Sequence, residues 1–326
     1  MYQSFYGLRE LPFELTPNSE FLFLPPGHLE AFSNLEYGLS SAKSLTLLLG
    51  EAGTGKTTLL RAALESERCR NVRCVYMNNP TLTMDDFVRT LAAGFELGPA
   101  VGESKAFFIE SLVRMLRERR SRGEITALIV DEAQSLSNAL LEEIRLLTNI
   151  ESTLEKLLPL VLAGQPELGN RLEDPALRQL KQRVTLRCEL APFELNHTAA
   201  YITSRITTAG GVAPWLFTLE AVKVIHEYSG GILRTINVIC DNALLTGLAL
   251  GRQPVDQAIV REVCSDLRLR PAKVGVPLAA KTNGNGNAAN KNGGSGVDSV
   301  APPPPEASAH PEAPSRFLRL FASGRP

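Results

Sequence analysis

The sequence predicts an α/β fold: a three-layer core around a parallel sheet, then a small α-helical domain and a disordered tail. Three observations lead there. Apolar, β-prone runs at residues 45–49, 72–78, 125–130, 157–165 and 184–190 alternate with stretches of helical periodicity, the pattern of a sheet layered with helices. From about Ala191 no further strand of quality appears and helical stretches follow one another. From Pro271 the composition turns Asn/Gly-rich, then runs through four prolines at 302–305 into Ala, Pro, Ser and Glu, which cannot bury enough apolar area to offset chain entropy. The expected divisions are therefore 1–190, 191–270 and 271–326.

In chain order, the first forty residues place aromatics between prolines (Phe5-Tyr6-Gly7-Leu8, Leu11-Pro12-Phe13, Thr16-Pro17-Asn18, Phe21-Leu22-Phe23-Leu24). This composition reads as an extended segment packed over a surface rather than as a regular element. Residues 28–39 then bring Leu29, Phe32, Leu35 or Glu36, and Leu39 to one helical face. Core packing is the preferred role for Tyr6, Leu11 to Phe13 and His28, and a place beside a nucleotide base is the alternative.

The run 45–49 leads directly into Gly50-Glu51-Ala52-Gly53-Thr54-Gly55-Lys56-Thr57, and a helix-prone stretch begins at Thr58. The segment fits G-x-x-x-x-G-K-[ST] without a mismatch, in the strand-to-helix context the motif requires. Glycines let successive N–H groups point at phosphate oxygens, and the helix start adds partial positive charge at the same place. Gly50 to Thr58 is thus the expected phosphate-binding stretch of a P-loop core. Lys56 is expected to reach the outer phosphates of a bound nucleotide, and the Thr57 hydroxyl to complete the shell of a magnesium ion.

After the strand at 72–78, Thr83 is a good N-cap for a helix carrying Met84, Phe87, Val88 and Leu91. A further helix over about 105–120 ends in Arg114, Arg117, Arg119, Arg120 and Arg122, interleaved with Glu110, Glu118 and Glu124. A helix C-terminus favours cations, so a solvated helix end is preferred there to a nucleic-acid patch. The run 125–130 then ends at Asp131-Glu132, the pattern of a Walker B strand. Asp131 is the expected magnesium residue and Glu132 the residue that polarises the attacking water.

A helix over 140–147 and the strand 157–165 follow, with Pro159 arguing for an early position in that strand. Gln165 stands at this strand's tip as Asp131 does at its own, and it meets the outer phosphate if the strand lies between the other two. Residues 175–183 read as a helix ending at Arg183, directly before the strand at 184–190. Helical stretches are then expected at 196–209, 218–228, 232–250 and 256–267, punctuated by Gly230-Gly231 and Gly251. Arg234, in the first turn of the third, works against the helix dipole and so hints at an anionic partner, with a plain surface arginine the equal alternative.

The formal net charge of −1 gives no global attraction to nucleic acid or acidic lipid, and the part before Pro271 holds 28 Lys/Arg against 32 Asp/Glu. The five cysteines include no C-x-x-C pair and fit a reduced cytoplasmic protein. The amino terminus carries no signal-peptide pattern and no apolar run is long enough to cross a bilayer. The segment Arg316-Phe317-Leu318-Arg319-Leu320-Phe321 is a short basic-apolar patch, read as an unbound tail end, with a partner or a membrane surface as the alternative docking sites.

The ordered set of phosphate loop, Asp-Glu strand tip, Gln165, Arg183 and a helical lid with Gly-x-x-Arg resembles an AAA+ ATPase. That resemblance implies sensor 1 at Gln165, an arginine finger at Arg183 and sensor 2 at Arg234. It also implies a homo-oligomer in which Arg183 faces the ATP of a neighbour. The opening aromatic segment, Asp131-Glu132-Ala133-Gln134 and Gly164-Gln165-Pro166-Glu167-Leu168 narrow the resemblance to the general secretion pathway protein A family, over about residues 1–268. The implied function is ATP hydrolysis that drives assembly or remodelling of an envelope system, with an inner-membrane protein as partner and a cytoplasmic or peripheral location. Members working in type II secretion carry a transmembrane helix and a peptidoglycan-binding domain after the ATPase, where this sequence has only its tail, so cell-wall binding is not implied. The second reading is a DNA-associated ATPase resembling transposition regulators, with nucleic acid the less favoured partner.

Overall fold

The computed structural model describes residues 2–16, 18–78, 82–152, 155–212 and 216–272, all within the unit Met1–Gly275. Pro17, the dipeptide Asn79-Pro80 that follows the expected strand at 72–78, and the tail from residue 273 on, with its proline run and its 316–321 patch, lie outside the described residues. The chain opens with α1 (Gln3–Tyr6), α2 (Pro26–Ser40), β1 (Leu45–Gly50) and α3 (Lys56–Glu65). It continues through β2 (Val72–Met77), α4 (Met84–Gly94), α5 (Lys105–Ser121), β3 (Ile125–Val130) and α6 (Asn138–Leu147). Then come β4 (Leu160–Gly164), α7 (Pro166–Arg171), α8 (Arg178–Lys181) and β5 (Val184–Leu190). The lid follows as α9 (Leu195–Thr208), α10 (Leu219–Ser229), α11 (Leu233–Ala249) and α12 (Gln257–Asp266).

The five strands form one sheet in the order β2-β3-β4-β1-β5, and each neighbouring pair is parallel. Side chains along the central strands divide strictly between two cores. Leu45, Leu47 and Leu49 of β1 join Leu128 and Val130 of β3 and Leu160 and Leu162 of β4 on the face covered by α4, α5 and α6. Leu48, Ala127, Ile129, Val161 and Ala163 pack on the other face against Leu35 and Leu39 of α2 and Leu59 and Leu60 of α3. Two covered faces explain why β1 and β3 are continuous apolar runs rather than alternating ones. This is the expected three-layer P-loop architecture, and it brings the carboxyl ends of β3, β4 and β1 side by side.

Three local expectations change. The first residues are not wholly extended: α1 makes one helical turn, closed by left-handed Gly7 and tied down by the Tyr2 hydroxyl donating to Asp241 Oδ1 at 2.5 Å. The strand expected from 157 starts only at Leu160, because Pro159 has no N–H to give the ladder and contributes its carbonyl to Leu128 N–H instead, at 3.0 Å. The helix expected over 175–183 breaks into a 3-10 turn at Pro175–Leu177 and the single turn α8, since the Asp174 carboxylate caps Ala176 N–H at 2.8 Å and tightens the start.

A third buried cluster lies in the lid, and the amino-terminal segment belongs to it. Tyr2, Tyr6, Leu8, Phe13 and Phe21 pack there with Ile206, Ile225, Ile239, Leu244 and Val260. Arg205 of α9 clasps the segment: its guanidinium lies 4.4 Å from the centre of the Phe21 ring and donates to the carbonyls of Pro12 and Glu14. The exit from β5 meets the lid at Gly231, whose carbonyl accepts from Phe193 N–H at 2.9 Å. Its φ is +78°, and a Cβ there would stand 2.0 Å from the Phe193 carbonyl oxygen. Gly231→Ala is therefore expected to cost at least about 2 kcal/mol, from strain and displaced backbone together. Thermal unfolding beside a Gly27→Ala control, whose Cβ meets nothing within 4 Å, checks it.

Candidate active site

The turn from β1 into α3 is built by two left-handed glycines, Gly53 at φ +84° and Gly55 at φ +94°. They curl the backbone so that Thr54 Oγ1 donates to Glu51 O at 2.9 Å and the start of α3 faces the enclosed space. The Lys56 ammonium is buried beneath this turn, donating to Gly50 O at 2.7 Å and Glu51 O at 3.0 Å. Burial pushes it below the ordinary lysine range, opposed by the carboxylates of Glu132, Asp131 and Glu51.

The tip of β3 lies against the turn. Asp131 is buried, and its Oδ2 accepts from Thr57 Oγ1 at 2.8 Å and from the Tyr76 hydroxyl at 2.5 Å, while its Oδ1 accepts from Glu132 N–H at 2.9 Å. Burial, with Asp131 beside it, holds the Tyr76 hydroxyl well above its ordinary range, so it remains a donor. Glu132 follows in the left-handed region at φ +53°. Its Oε2 accepts from Gln134 Nε2 at 2.6 Å and from Gln165 Nε2 at 3.5 Å. Because β4 lies between β3 and β1, the condition set for Gln165 is met and its amide reaches the tip of the neighbouring strand.

The cavity in front of the turn is lined by Ala52, Gly53, Gly55, Lys56, Thr57, Thr58, Glu132 and Arg234 of the expected set. Gly50, Glu51 and Thr54 contribute through the backbone bonds that shape the turn, Asp131 through Thr57, and Gln165 through Glu132. Arg234, exposed in the first turn of α11, donates its N–H to Gly53 O at 3.1 Å. A Cβ on Gly53 would come within 2.8 Å of Arg234 Cβ, so the lid rests directly on the loop. Arg183 is the residue that the fold does not bring there. It sits between α8 and β5, where it and, more strongly, Lys156 hold the Glu151 carboxyl below its usual range.

The expectation for base neighbours divides. His28 lines the cavity, with Nε2 3.3 Å from Thr54 O, and burial keeps its imidazole below the ordinary range. Tyr6 instead donates to Leu244 O at 3.1 Å, and Phe13 packs edge-on to Phe217, both within the lid cluster. Sequence reasoning missed Leu22, Phe23, Tyr201, Arg205 and Asn237, which line the same cavity. The apolar run at 21–24 was a signal for the first two. Tyr201, Arg205 and Asn237 sit on ordinary-looking helices and carried none. The arginines ending α5 are largely spent on ion pairs: Arg119 with Glu96, Arg120 with Glu155 and Arg122 with Glu118.

A single carboxylate beside a hydroxyl at a phosphate-shaped turn fits magnesium, which takes one or two protein oxygens and the rest from phosphate and water. Among the described residues no group of three or more His, Cys, Asp or Glu forms a protein-only metal cage.

Residues 39–172 match the AAA domain family. The chain is 41% identical over 256 residues to General secretion pathway protein A of Aeromonas hydrophila, a stretch covering 78% of this chain and 46% of that protein. It thus spans about half the length of the curated relative it matches. Among solved structures, Cdc6p of Pyrobaculum aerophilum superposes with a TM-score of 0.59 at 20% identity, over 76% of this chain and 70% of that one. The ORC2 protein of Aeropyrum pernix, in ADPNP-ADP complexes, does so with a TM-score of 0.56 at 17% identity, over 77% and 72%. At these identities the structural likenesses speak for the fold alone.

Proposed function

We propose that this chain, which matches the AAA domain family over residues 39–172 and is 41% identical to General secretion pathway protein A over 78% of its length, binds and hydrolyses ATP to assemble or remodel an envelope system. The observation that carries the reading is the convergence of Lys56, Thr57, Asp131 and Glu132 on one phosphate-shaped turn. Backbone N–H groups at the start of α3 cradle the phosphates, and the Lys56 ammonium exchanges its two loop carbonyls for the outer phosphate oxygens. Thr57 and Asp131 are the residues that would hold magnesium, which supplies neutralisation of charge on the phosphate oxygens when bound. Glu132 takes a proton from the attacking water, and Gln165, beside it, orients the water or the outer phosphate. Arg234 brings a second cation from the lid, and Arg183 serves the site of a neighbouring copy.

The secretion-pathway relative favours an inner-membrane protein as partner, with the ATPase on the cytoplasmic side where ATP is found. No helix among the described residues is long and apolar enough to cross a membrane. The DNA-associated reading is the less favoured second one: three of the five arginines at the end of α5 are paired with carboxylates.

Lys56→Ala tests the reading. It removes a buried cation while the fold keeps its two strand-borne cores, so ATP affinity is expected to fall about 10- to 100-fold or more, a charge-assisted hydrogen bond being worth ~1.5–3 kcal/mol. Hydrolysis falls with it. Titration calorimetry showing unchanged affinity in a folded Lys56→Ala protein overturns the reading.

A further inference from the structure

We propose that Gln134 is a positioning residue that locks the Glu132 carboxylate and the tip of β4 into one unit, an inference that rests on Glu132 acting as the base. The orientation of the Gln134 amide is unambiguous. Its Oε1 accepts from the backbone N–H of Gln165 at 3.1 Å, and since an N–H only donates, Nε2 must face Glu132, whose Oε2 lies 2.6 Å away. One side chain therefore ties Glu132, the second residue after β3, to Gln165, the first after β4. The second amide, from Gln165, comes to the same oxygen at 3.5 Å. Both amides engage Oε2, leaving Oε1 as the carboxylate oxygen that neither amide occupies.

The fold makes room for this clamp and braces it. Gly164 ends β4 beneath the amide, and a Cβ there would stand 2.9 Å from Gln134 Oε1. The Gln134 backbone is held from below: Arg171, at the end of α7, donates through Nη1 to Gln134 O at 2.7 Å and Leu136 O at 2.8 Å. Its Nη2 reaches Asn138 Oδ1 at 2.6 Å. Glu132 needs such a brace, because its left-handed φ of +53° is a conformation that a residue with a Cβ seldom adopts without support. A carboxylate that must sit within hydrogen-bond reach of one water gains more from a fixed rotamer than from proximity alone.

The test measures ATP affinity by calorimetry, single-turnover hydrolysis and thermal stability for Gln134→Ala, alone and combined with Glu132→Gln. The affinity is expected to stay at its parental value while the hydrolysis rate falls about 10- to 100-fold, the usual range for residues that orient a reacting group. In the Glu132→Gln background the same change is expected to cost nothing further, because no base is left to hold; a merely structural role costs the same factor in both. Gln134→Glu preserves volume and the bond to Gln165 N–H but sets a second carboxylate against Glu132, and it is expected to lose at least as much. Parental hydrolysis in Gln134→Ala or Gln134→Glu, with Glu132→Gln inactive, overturns the positioning role, as does an equal loss in both backgrounds. Parental hydrolysis in Glu132→Gln alone overturns instead the assignment of the base.

Discussion

Exchange of Glu132 for Gln is expected to leave ATP binding at parental strength while hydrolysis falls by about two to four orders of magnitude. The separation follows from which atoms do which work. On the proposed reading binding rests on the loop N–H groups, the Lys56 ammonium, Arg234 and the magnesium held by Thr57 and Asp131, whereas Glu132, a carboxylate, offers the phosphates no donor. The amide is nearly isosteric with the carboxylate and still offers an oxygen to Gln134 Nε2, so the geometry at the strand tips survives. Only the capacity to accept the proton of the attacking water is lost. Calorimetry and single-turnover hydrolysis on the same preparation check both halves. A variant that hydrolyses at the parental rate moves the base elsewhere, and one that fails to bind shows that Glu132 shapes the cavity instead.

What was legible in the sequence was whatever is encoded locally. The phosphate turn is one contiguous segment whose glycines, lysine and threonine each answer to a backbone need or a phosphate need. Asp131-Glu132 is similarly readable because a buried strand that ends on two acids leaves them at the sheet's carboxyl edge. Gln165 was readable only conditionally, since its value depends on strand order, and periodicity says nothing about which strand neighbours which. The bonds from Gln134 depend on the Gln165 N–H and on a missing Cβ at Gly164, both about thirty residues away, so nothing near Gln134 announces its orientation. Tyr201, Arg205 and Asn237 are further from legibility still. They meet the cavity because the amino-terminal segment folds back onto the lid, with Arg205 buried against Phe21 and bonded to Pro12 and Glu14 carbonyls, a contact spanning most of the chain. The broken helix at 175–183 has the opposite cause: its periodicity was right, and a local cap at Asp174 overrode it.

Arg183→Ala is expected to bind ATP normally and to lose about three to five orders of magnitude in turnover, the range for an arginine that stabilises charge on a transferred phosphoryl group. Geometry rules out service to its own loop. Val184 pairs with Leu45, the first residue of β1, whereas the phosphate turn begins beyond Gly50 at the other end of that strand. Five residues of extended chain separate the two levels by roughly 15–20 Å, more than an arginine side chain spans. β5 is also an edge strand of the sheet, and Arg183, at its start, is half-exposed. A surface arginine paired with Glu189 is the plain alternative, and no ion pair joins those two among the described residues. Mixing separates the cases. Lys56→Ala fails because its loop cannot hold ATP, and Arg183→Ala fails because its neighbour receives no guanidinium. Combined in one oligomer, an Arg183→Ala subunit with an intact loop accepts the arginine of a Lys56→Ala neighbour, so activity is expected to recover in part and to peak at intermediate ratios. Absence of recovery at every ratio, in samples shown by light scattering and subunit exchange to contain mixed oligomers, rejects the assignment in trans.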